Sequence, residues 1–164
     1  MSLESMEDLL VHELKDLYSA EKQILKALPK MAKKASHPDL KQAFQKHIDQ
    51  TENQVQRIET IFESLNGKPR GVKCVGMEGL IEEGREMMEE SMPDYLLDAA
   101  LIGAAQRVEH YEIAAYGTAR SFAEKLGLDE AVRLLQETLD EESETDELLT
   151  SIAQRVNSQA KAEA

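Results

Sequence analysis

The chain has 164 residues, with 32 Asp and Glu against 19 Lys and Arg, four His and one Cys, for a formal net charge of −13. This length is typical of one domain with a sizeable core, since a domain near this size hides roughly 68–70% of the surface that its unfolded chain exposes. We therefore expect a single domain over 1–164. The lone Cys74 excludes an intramolecular disulfide and a site built from several thiolates, which favours a reducing compartment.

The acidic balance, with a pI of about 4.8, repels phosphate backbones and anionic lipid surfaces, so neither nucleic acid nor a membrane is an expected partner. Residues 1–10 mix Glu4, Glu7 and Asp8 with apolar residues, unlike a signal peptide. No stretch holds the ~20 apolar residues that a membrane span requires. We therefore expect a cytoplasmic protein.

Eight Gly and four Pro cluster at a few places along the chain, and the segments between them have helical periodicity. Apolar residues at spacings of three and four predict four long helices and one short helix, over about 5–35, 38–66, 75–91, 93–126 and 129–157. The short helix is the third of these. The tail over 158–164 has lost the apolar stripe, and we expect it to be frayed.

The connections between the helices predict the topology. Short turns join the first two long helices and the last two, so each pair forms an antiparallel hairpin. The long connection through the short helix lets the second hairpin pack across the first. The sequence therefore predicts an all-α fold, a ferritin-like four-helix bundle with one long crossover containing an additional short helix.

Polar residues interrupt the apolar stripe of every long helix. They are Glu21 on the helix over 5–35, Glu109 and Glu112 on the helix over 93–126, and Glu142 and Asp146 on the helix over 129–157. The helix over 38–66 contributes His47, Gln50, Thr51 and Gln54. The acidic run over 140–147 is otherwise typical of a solvated face, which is our interpretation of Glu141, Glu144 and Glu147. Glu142 and Asp146 differ because they continue the stripe between Leu139 and Leu149.

The register of the two hairpins predicts that these residues meet. In the first hairpin, residues whose numbers sum to about 72 lie level, so Glu21 lies opposite Thr51 and beside Gln50. In the second, a sum of about 252 to 256 places Glu109 next to Glu142 and Asp146. Both levels fall near the middle of the helices. We therefore expect one central layer that contains Glu21, Glu109, Glu112, Glu142 and Asp146.

Ionised carboxylates in such a layer need compensation, since each desolvated ion costs several kcal/mol and like charges add to this cost. No Lys or Arg interrupts the stripes, so bound metal or shared protons are the remaining means of neutralisation. A carboxylate-rich site with a few nitrogen or amide donors suits iron or manganese, with zinc as an alternative. His47 is a metal ligand, a group that orients a carboxylate, or an interface histidine.

Four motifs in order along the chain resemble the YciF-type stress proteins, and the resemblance covers about residues 3–157. The motifs are Tyr18–Gln23, Cys74 with Met77–Glu83, Ala104–Ile113 and Glu137–Glu142. The resemblance implies a bacterial, stress-induced, ferritin-like bundle that holds a two-metal centre, in a family whose biochemical activity is unresolved.

The resemblance also implies that Glu21, Glu109, Glu112 and Glu142 are metal ligands, with Asp146 and the middle of the second helix completing the shell. Many relatives carry Glu where this chain has Gln50, whose amide is a weaker, neutral oxygen donor. The predicted metal ligands are therefore Glu21, His47, Gln50, Glu109, Glu112, Glu142 and Asp146, and no residue is assigned to catalysis.

The leading hypothesis is a dinuclear non-haem iron or manganese protein of stress defence that reduces peroxide or oxidises ferrous iron, with an unknown electron donor. Two alternatives stay open at this point: a metal-stabilised structural or binding protein without turnover, and an acidic helical partner domain without metal. Apolar residues expected to be exposed, such as Leu9, Val11 and Phe62, favour a homodimer, although they could instead pack on the short helix.

Overall fold

The computed structural model describes residues 2–163, and within these residues all regular structure is helical. The helices are α1 (Met6–Lys34), α2 (Pro38–Ser64), α3 (Val75–Glu89), α4 (Asp94–Lys125) and α5 (Asp129–Glu163). The four long helices form the bundle: α1 packs against α2 and α4, and α5 packs against α4 and α2. The short helix α3 lies on α1 and α4. The predicted all-α class with one long crossover is confirmed.

Local sequence sets where the helices begin and end. Ser5 caps α1 through a capping box with Asp8, in which the side chain of each residue accepts a hydrogen bond from the backbone N–H of the other. Pro38 occupies the first turn of α2, where its missing N–H costs nothing. Gly127, with φ of 69°, follows α4 and allows the tight turn into α5.

Two apolar clusters fill the core, one on each side of the bundle's middle. One cluster joins the carboxyl-terminal half of α1 to the amino-terminal half of α2, with α3, the first half of α4 and the second half of α5. The second apolar cluster joins the opposite halves of the four long helices. Buried polar residues from all four long helices lie between the two clusters. The bundle therefore has a polar layer across its centre.

The end of α5 corrects one expectation. The tail over 158–164 was expected to be frayed, but α5 continues as a helix to Glu163, and Ala164 lies outside the described residues. Ala160 is buried one turn after Val156, so a small apolar residue extends the stripe that we took to end at 157. The hydroxyl of Tyr95 on α4 donates to the Glu163 carbonyl over 3.4 Å.

The apolar residues on which the homodimer expectation rested divide into two groups. Phe62 was expected to be exposed, but its side chain is only 1% exposed and packs in the second apolar cluster. Leu9 is 38% exposed, and Val11 is partly buried against the same cluster. The structure thus removes Phe62 from the exposed surface. Among the described residues, no helix is both long enough and apolar enough to span a membrane.

Asp98 on α4 fixes the turn between α1 and α2. Its buried carboxylate accepts hydrogen bonds from the backbone N–H groups of Ser36 at 2.8 Å and His37 at 2.9 Å. We expect Asp98→Ala to leave two backbone donors without partners and to lower the free energy of unfolding by about 2–4 kcal/mol, since each such donor costs roughly 1–3 kcal/mol. Urea unfolding measures this loss.

Asp94→Ala is the matched control, because Asp94 is an exposed acid in the first turn of the same helix. Its loss should cost no more than about 1 kcal/mol, from the interaction with the helix dipole alone. Equal destabilisation by the two substitutions would contradict the role given to Asp98.

Candidate metal centre

The central polar layer brings together acidic and imidazole side chains from four helices. Glu21 comes from α1, His47 from α2, Glu109 and Glu112 from α4, and Glu142 from α5, and each is no more than 3% exposed. Glu109 and Glu112 lie on one face of α4 because a spacing of three residues is nearly one helical turn. Five of the seven predicted site residues therefore lie buried in this layer.

Four of these residues meet closely enough to hold one cation. One ligand atom from each of His47, Glu109, Glu112 and Glu142 lies within 4.8 Å of the others. His47 Nε2 is 3.0 Å from Glu109 Oε1 and 4.0 Å from Glu142 Oε2. Despite these short distances, neither ring nitrogen has a hydrogen bond of acceptable geometry.

The same layer contains every buried side-chain nitrogen or oxygen that lacks a hydrogen-bond partner within residues 2–163. The eight atoms belong to six residues: Glu21, His47, Gln54, Glu109, Glu112 and Glu142. An unpaired buried polar group costs roughly 1–3 kcal/mol, and more when it is charged, so folded proteins contain few of them and those are usually scattered. Their concentration at one level is the pattern expected of a site that binds an additional group.

Burial and mutual repulsion disfavour the ionised form of the acids. Burial, with Glu142 as the main charged neighbour, raises the pKa of Glu21 to about 8. Burial likewise raises the pKa of Glu109 to about 7. The pKa values of Glu112 and Glu142 are raised well above the usual carboxyl value, first by burial and then by neighbouring carboxylates. Without a bound cation, some carboxyl groups of the central layer therefore keep their protons near neutral pH.

Tyr116 closes the layer on the side of the second apolar cluster. Its hydroxyl donates a hydrogen bond to Glu21 Oε1, which leaves Glu21 Oε2 without a partner. Burial, followed by the charges of Glu21 and Glu112, raises the pKa of Tyr116 well above its usual value. Tyr116 therefore keeps its proton and holds one oxygen of Glu21 in place.

These residues fit a metal ion. The unpaired atoms are carboxylate oxygens, imidazole nitrogens and one amide oxygen, which are donors that iron, manganese and zinc accept. A cation would replace the retained protons and compensate several negative charges at once.

On α2, the structure places Gln54 rather than Gln50 against the cluster. Gln54 is fully buried, and its Nε2 donates to Glu141 Oε2 at 2.9 Å and Glu142 Oε1 at 2.6 Å, which leaves Oε1 unpaired. Gln50 is only half-buried and accepts a long hydrogen bond from Thr145. The sequence signal was available: at 100° per residue, Gln54 lies within about 20° of His47 around the helix, and Gln50 about 60° away.

Asp146 lies at the edge of the layer, outside the four-residue cluster. Its carboxylate contacts His110 Nε2 at 3.1 Å and Gln106 Nε2 at 3.3 Å, near the surface between α4 and α5. Thr145, not Asp146, continues the buried face of α5 after Glu142. The structure thus does not bring Asp146 together with the other predicted ligands. His110 itself has a side chain that is 68% exposed.

A four-helix bundle with one crossover and a buried layer of carboxylates and imidazole defines a ferritin-like helical protein. Residues 5–162 match the family described as Domain of unknown function (DUF892), and the chain belongs to this family. Protein YciF of Escherichia coli (strain K12) is 49% identical over 163 residues, which are 98% of each chain. The resemblance found in the sequence is confirmed.

Solved structures agree with this assignment. The crystal structure of the E. coli stress protein YciF has a TM-score of 0.92 at 48% identity, covering 95% of this chain and 99% of that one. YcfI from Rhodopseudomonas palustris has a TM-score of 0.88 at 46% identity, covering 91% and 95%. A Xanthomonas campestris protein shares the fold, with a TM-score of 0.78 at 23% identity over 97% and 98%.

The raised pKa values predict how the stability of the metal-free protein depends on pH. The folded protein keeps protons that the unfolded chain releases above its ordinary carboxyl pKa of 4.5. Stability should therefore be highest near pH 5 and fall as the pH rises through the folded pKa values of about 7 and 8. Urea midpoints measured with chelator present at pH 5, 6.5 and 8 give this trend.

Glu112→Gln should reduce the decline, because a neutral amide of the same shape replaces a buried acid. Glu144→Gln, on the exposed face of α5, should leave the decline unchanged. A stability that increases from pH 5 to pH 8 in the metal-free wild-type protein would contradict the raised pKa values.

Proposed function

We propose that this protein binds two metal ions in the central layer of the bundle and acts in bacterial stress defence. Iron is the favoured metal, and manganese and zinc are alternatives. The observation that carries the proposal is the collection of eight unpaired buried donor atoms at one level, on helices that are otherwise packed by apolar side chains. The description of the E. coli relative as a stress protein supports the proposed role in stress defence.

The arrangement of the acids favours two ions over one. Glu142 interacts with both Glu109 and Glu112, and Glu112 interacts with both Glu142 and Glu21. Glu112 would therefore hold a metal ion together with Glu21 and Glu142, and Glu142 would hold one together with Glu109 and Glu112. His47 and Glu109 would serve one side of the site and Glu21 the other, with Gln54 as a neutral oxygen donor. Gln50 and Asp146 would act only through residues that contact the site.

Bound ferrous iron or reduced manganese would supply the two electrons that reduce peroxide to water, and peroxide would also be the oxidant if the site oxidises ferrous iron. The protein's own residues would set the conditions for this chemistry. The second apolar cluster covers the side of the layer on which Tyr116 lies and excludes water there. Tyr116 holds a proton at Glu21 Oε1, within the layer itself. His47 presents ring nitrogens that are not committed to other partners.

A second function, metal-dependent stabilisation without turnover, is favoured by the depth of the site. The charged ligands are almost completely buried and come from all four long helices. A cation at this level would join both hairpins. Metal that binds only the folded state at a hundredfold excess over its Kd adds about 2.7 kcal/mol of stability.

Metal content tests the shared part of both functions. After anaerobic loading with ferrous iron and removal of the excess, we expect about two equivalents of iron per chain by elemental analysis. Glu21→Ala, Glu112→Gln and Glu142→Gln should each weaken binding by more than the roughly 10–100-fold loss typical of an outer-shell substitution. Glu144→Gln is the control and should keep both equivalents.

Full iron content in Glu112→Gln would show that the ligand assignment is wrong. A single equivalent in the wild-type protein would contradict the two-ion arrangement while leaving metal binding intact.

Peroxide separates the two functions. If the protein is an oxidoreductase, peroxide should oxidise the ferrous protein rapidly, and an added reductant should restore it over repeated cycles. Stopped-flow absorbance and peroxide consumption measure these steps. Metal that raises the melting temperature but is not oxidised over many minutes would support the stabilising role.

A homodimer is the quaternary state that we propose, because Leu3, Met6 and Leu9 leave apolar surface near the start of α1. Sedimentation equilibrium of the wild-type chain and of Leu9→Ser tests it. A monomer at all accessible concentrations would contradict it.

A further inference from the structure

A second feature of the protein is an apolar cavity beneath the crossover helix. The cavity has a volume of about 240 Å³ and lies mainly between α1, α3 and α4, with residues of α2 and α5 at its inner wall. Its walls are mostly aliphatic, with Ala27, Met31, Leu80, Ile81 and Met88 among the lining residues. Close-packed protein interiors leave few voids larger than a water molecule, so a space of this size is unusual.

The two ends of the cavity differ in chemistry. At its inner end it is lined by His47 and Glu109, so it shares a wall with the proposed metal centre. At its outer end it is lined by Lys26, Lys30 and Arg85, which are exposed. The cavity therefore runs from solvent to the central polar layer.

The rim is positive on a strongly acidic protein. The chain carries a net charge of −13, yet the exposed charged residues that line the cavity are all basic, and its one acid is the buried Glu109. Arg85 is paired with Glu82 and Glu89 on its own helix. Lys26 and Lys30 form no ion pair within residues 2–163 and lie one turn apart on α1. Two uncommitted cations thus lie beside the entrance.

Gly84 on α3 leaves the cavity open, although backbone packing does not require a glycine at this position. It is buried and lines the cavity, but a Cβ added at this position would meet only Ala104 Cβ, at an ordinary distance of 3.6 Å. Glycine destabilises a helix interior relative to alanine. A larger residue would therefore stabilise the helix and fill the cavity, and its absence is consistent with a space that is used.

We propose that this cavity binds a medium-chain aliphatic monocarboxylate. The hydrocarbon chain occupies the apolar walls, and the carboxylate lies at the rim between Lys26 and Lys30. A cavity of about 150 Å³ holds one benzene ring, so 240 Å³ corresponds to a chain of roughly eight to ten carbons. The far end of the chain reaches the side of the metal centre formed by His47 and Glu109.

Titration calorimetry of the full chain with sodium decanoate tests this proposal. We expect saturable binding at one site per chain, weakened by added salt because the lysines are exposed. Decanol and decyltrimethylammonium, which have the same chain without the negative head group, should bind at least about fivefold more weakly. Equal binding of all three would overturn the assignment of the head group, and no saturable decanoate binding would overturn the site.

Substitutions in the walls locate the binding site. Gly84→Leu fills the cavity from α3 and should weaken decanoate binding at least tenfold. Gly79→Leu is the matched control on the same helix, since Gly79 is exposed with open space around it. If Gly84→Leu does not fold, Ala27→Leu fills the space from α1 instead. Wild-type affinity in a folded cavity-filling variant would overturn the location.

Substitutions at the rim test the head group. Lys26→Gln combined with Lys30→Gln should weaken decanoate binding about threefold to tenfold and leave decanol binding unchanged. The control is Lys33→Gln combined with Lys34→Gln, a pair of exposed lysines on the same helix that do not line the cavity. Equal losses in both double variants would overturn the role of the rim.

The binding site does not depend on the proposed function. Decanoate binding is measured with metal-free protein, and the metal content of Gly84→Leu is measured separately. Decanoate binding without metal content would leave the cavity site intact and contradict the metal centre. Metal content without decanoate binding would leave the metal centre intact and overturn the cavity site.

Discussion

The structure depends on one constraint, the burial of four glutamates at the same level of a helical bundle. Ionised carboxylates lose their hydration there and repel one another, so the layer is stable only when protons or cations neutralise it. The raised pKa values of Glu21 and Glu109 follow from this constraint. The unpaired atoms of the layer are also atoms that could coordinate a cation, rather than scattered defects.

The two apolar clusters explain how the fold tolerates this layer. Each cluster buries aliphatic side chains from both hairpins, and this burial offsets the desolvation of the acids between them. The crossover helix α3 covers only one of the two clusters, and the cavity beneath it adjoins the polar layer at His47 and Glu109. The long connection therefore does more than join the hairpins, because its helix encloses this cavity.

Hydrophobic periodicity and breakers were sufficient to predict the class and topology of the fold. Long apolar stripes have few interpretations other than buried helix faces, and two short turns with one long connection leave few arrangements. Helix ends were less determined. Ala160 extends α5 past the predicted end because alanine packs as an apolar residue when a neighbouring helix covers it, which the sequence does not reveal. Phe62 is likewise buried because other helices of the bundle cover it, which the sequence does not reveal either.

The sequence by itself determined which helices contribute acids to the core, because Glu21, Glu109, Glu112 and Glu142 replace apolar residues in regular stripes. Only the tertiary structure decided whether Thr145 or Asp146 follows Glu142 on the buried face of α5. Positions three and four residues apart differ by about 100° around a helix, so both fall near one stripe, and the packing of adjacent helices selects between them. That selection buries Thr145 and leaves Asp146 at the surface edge with His110.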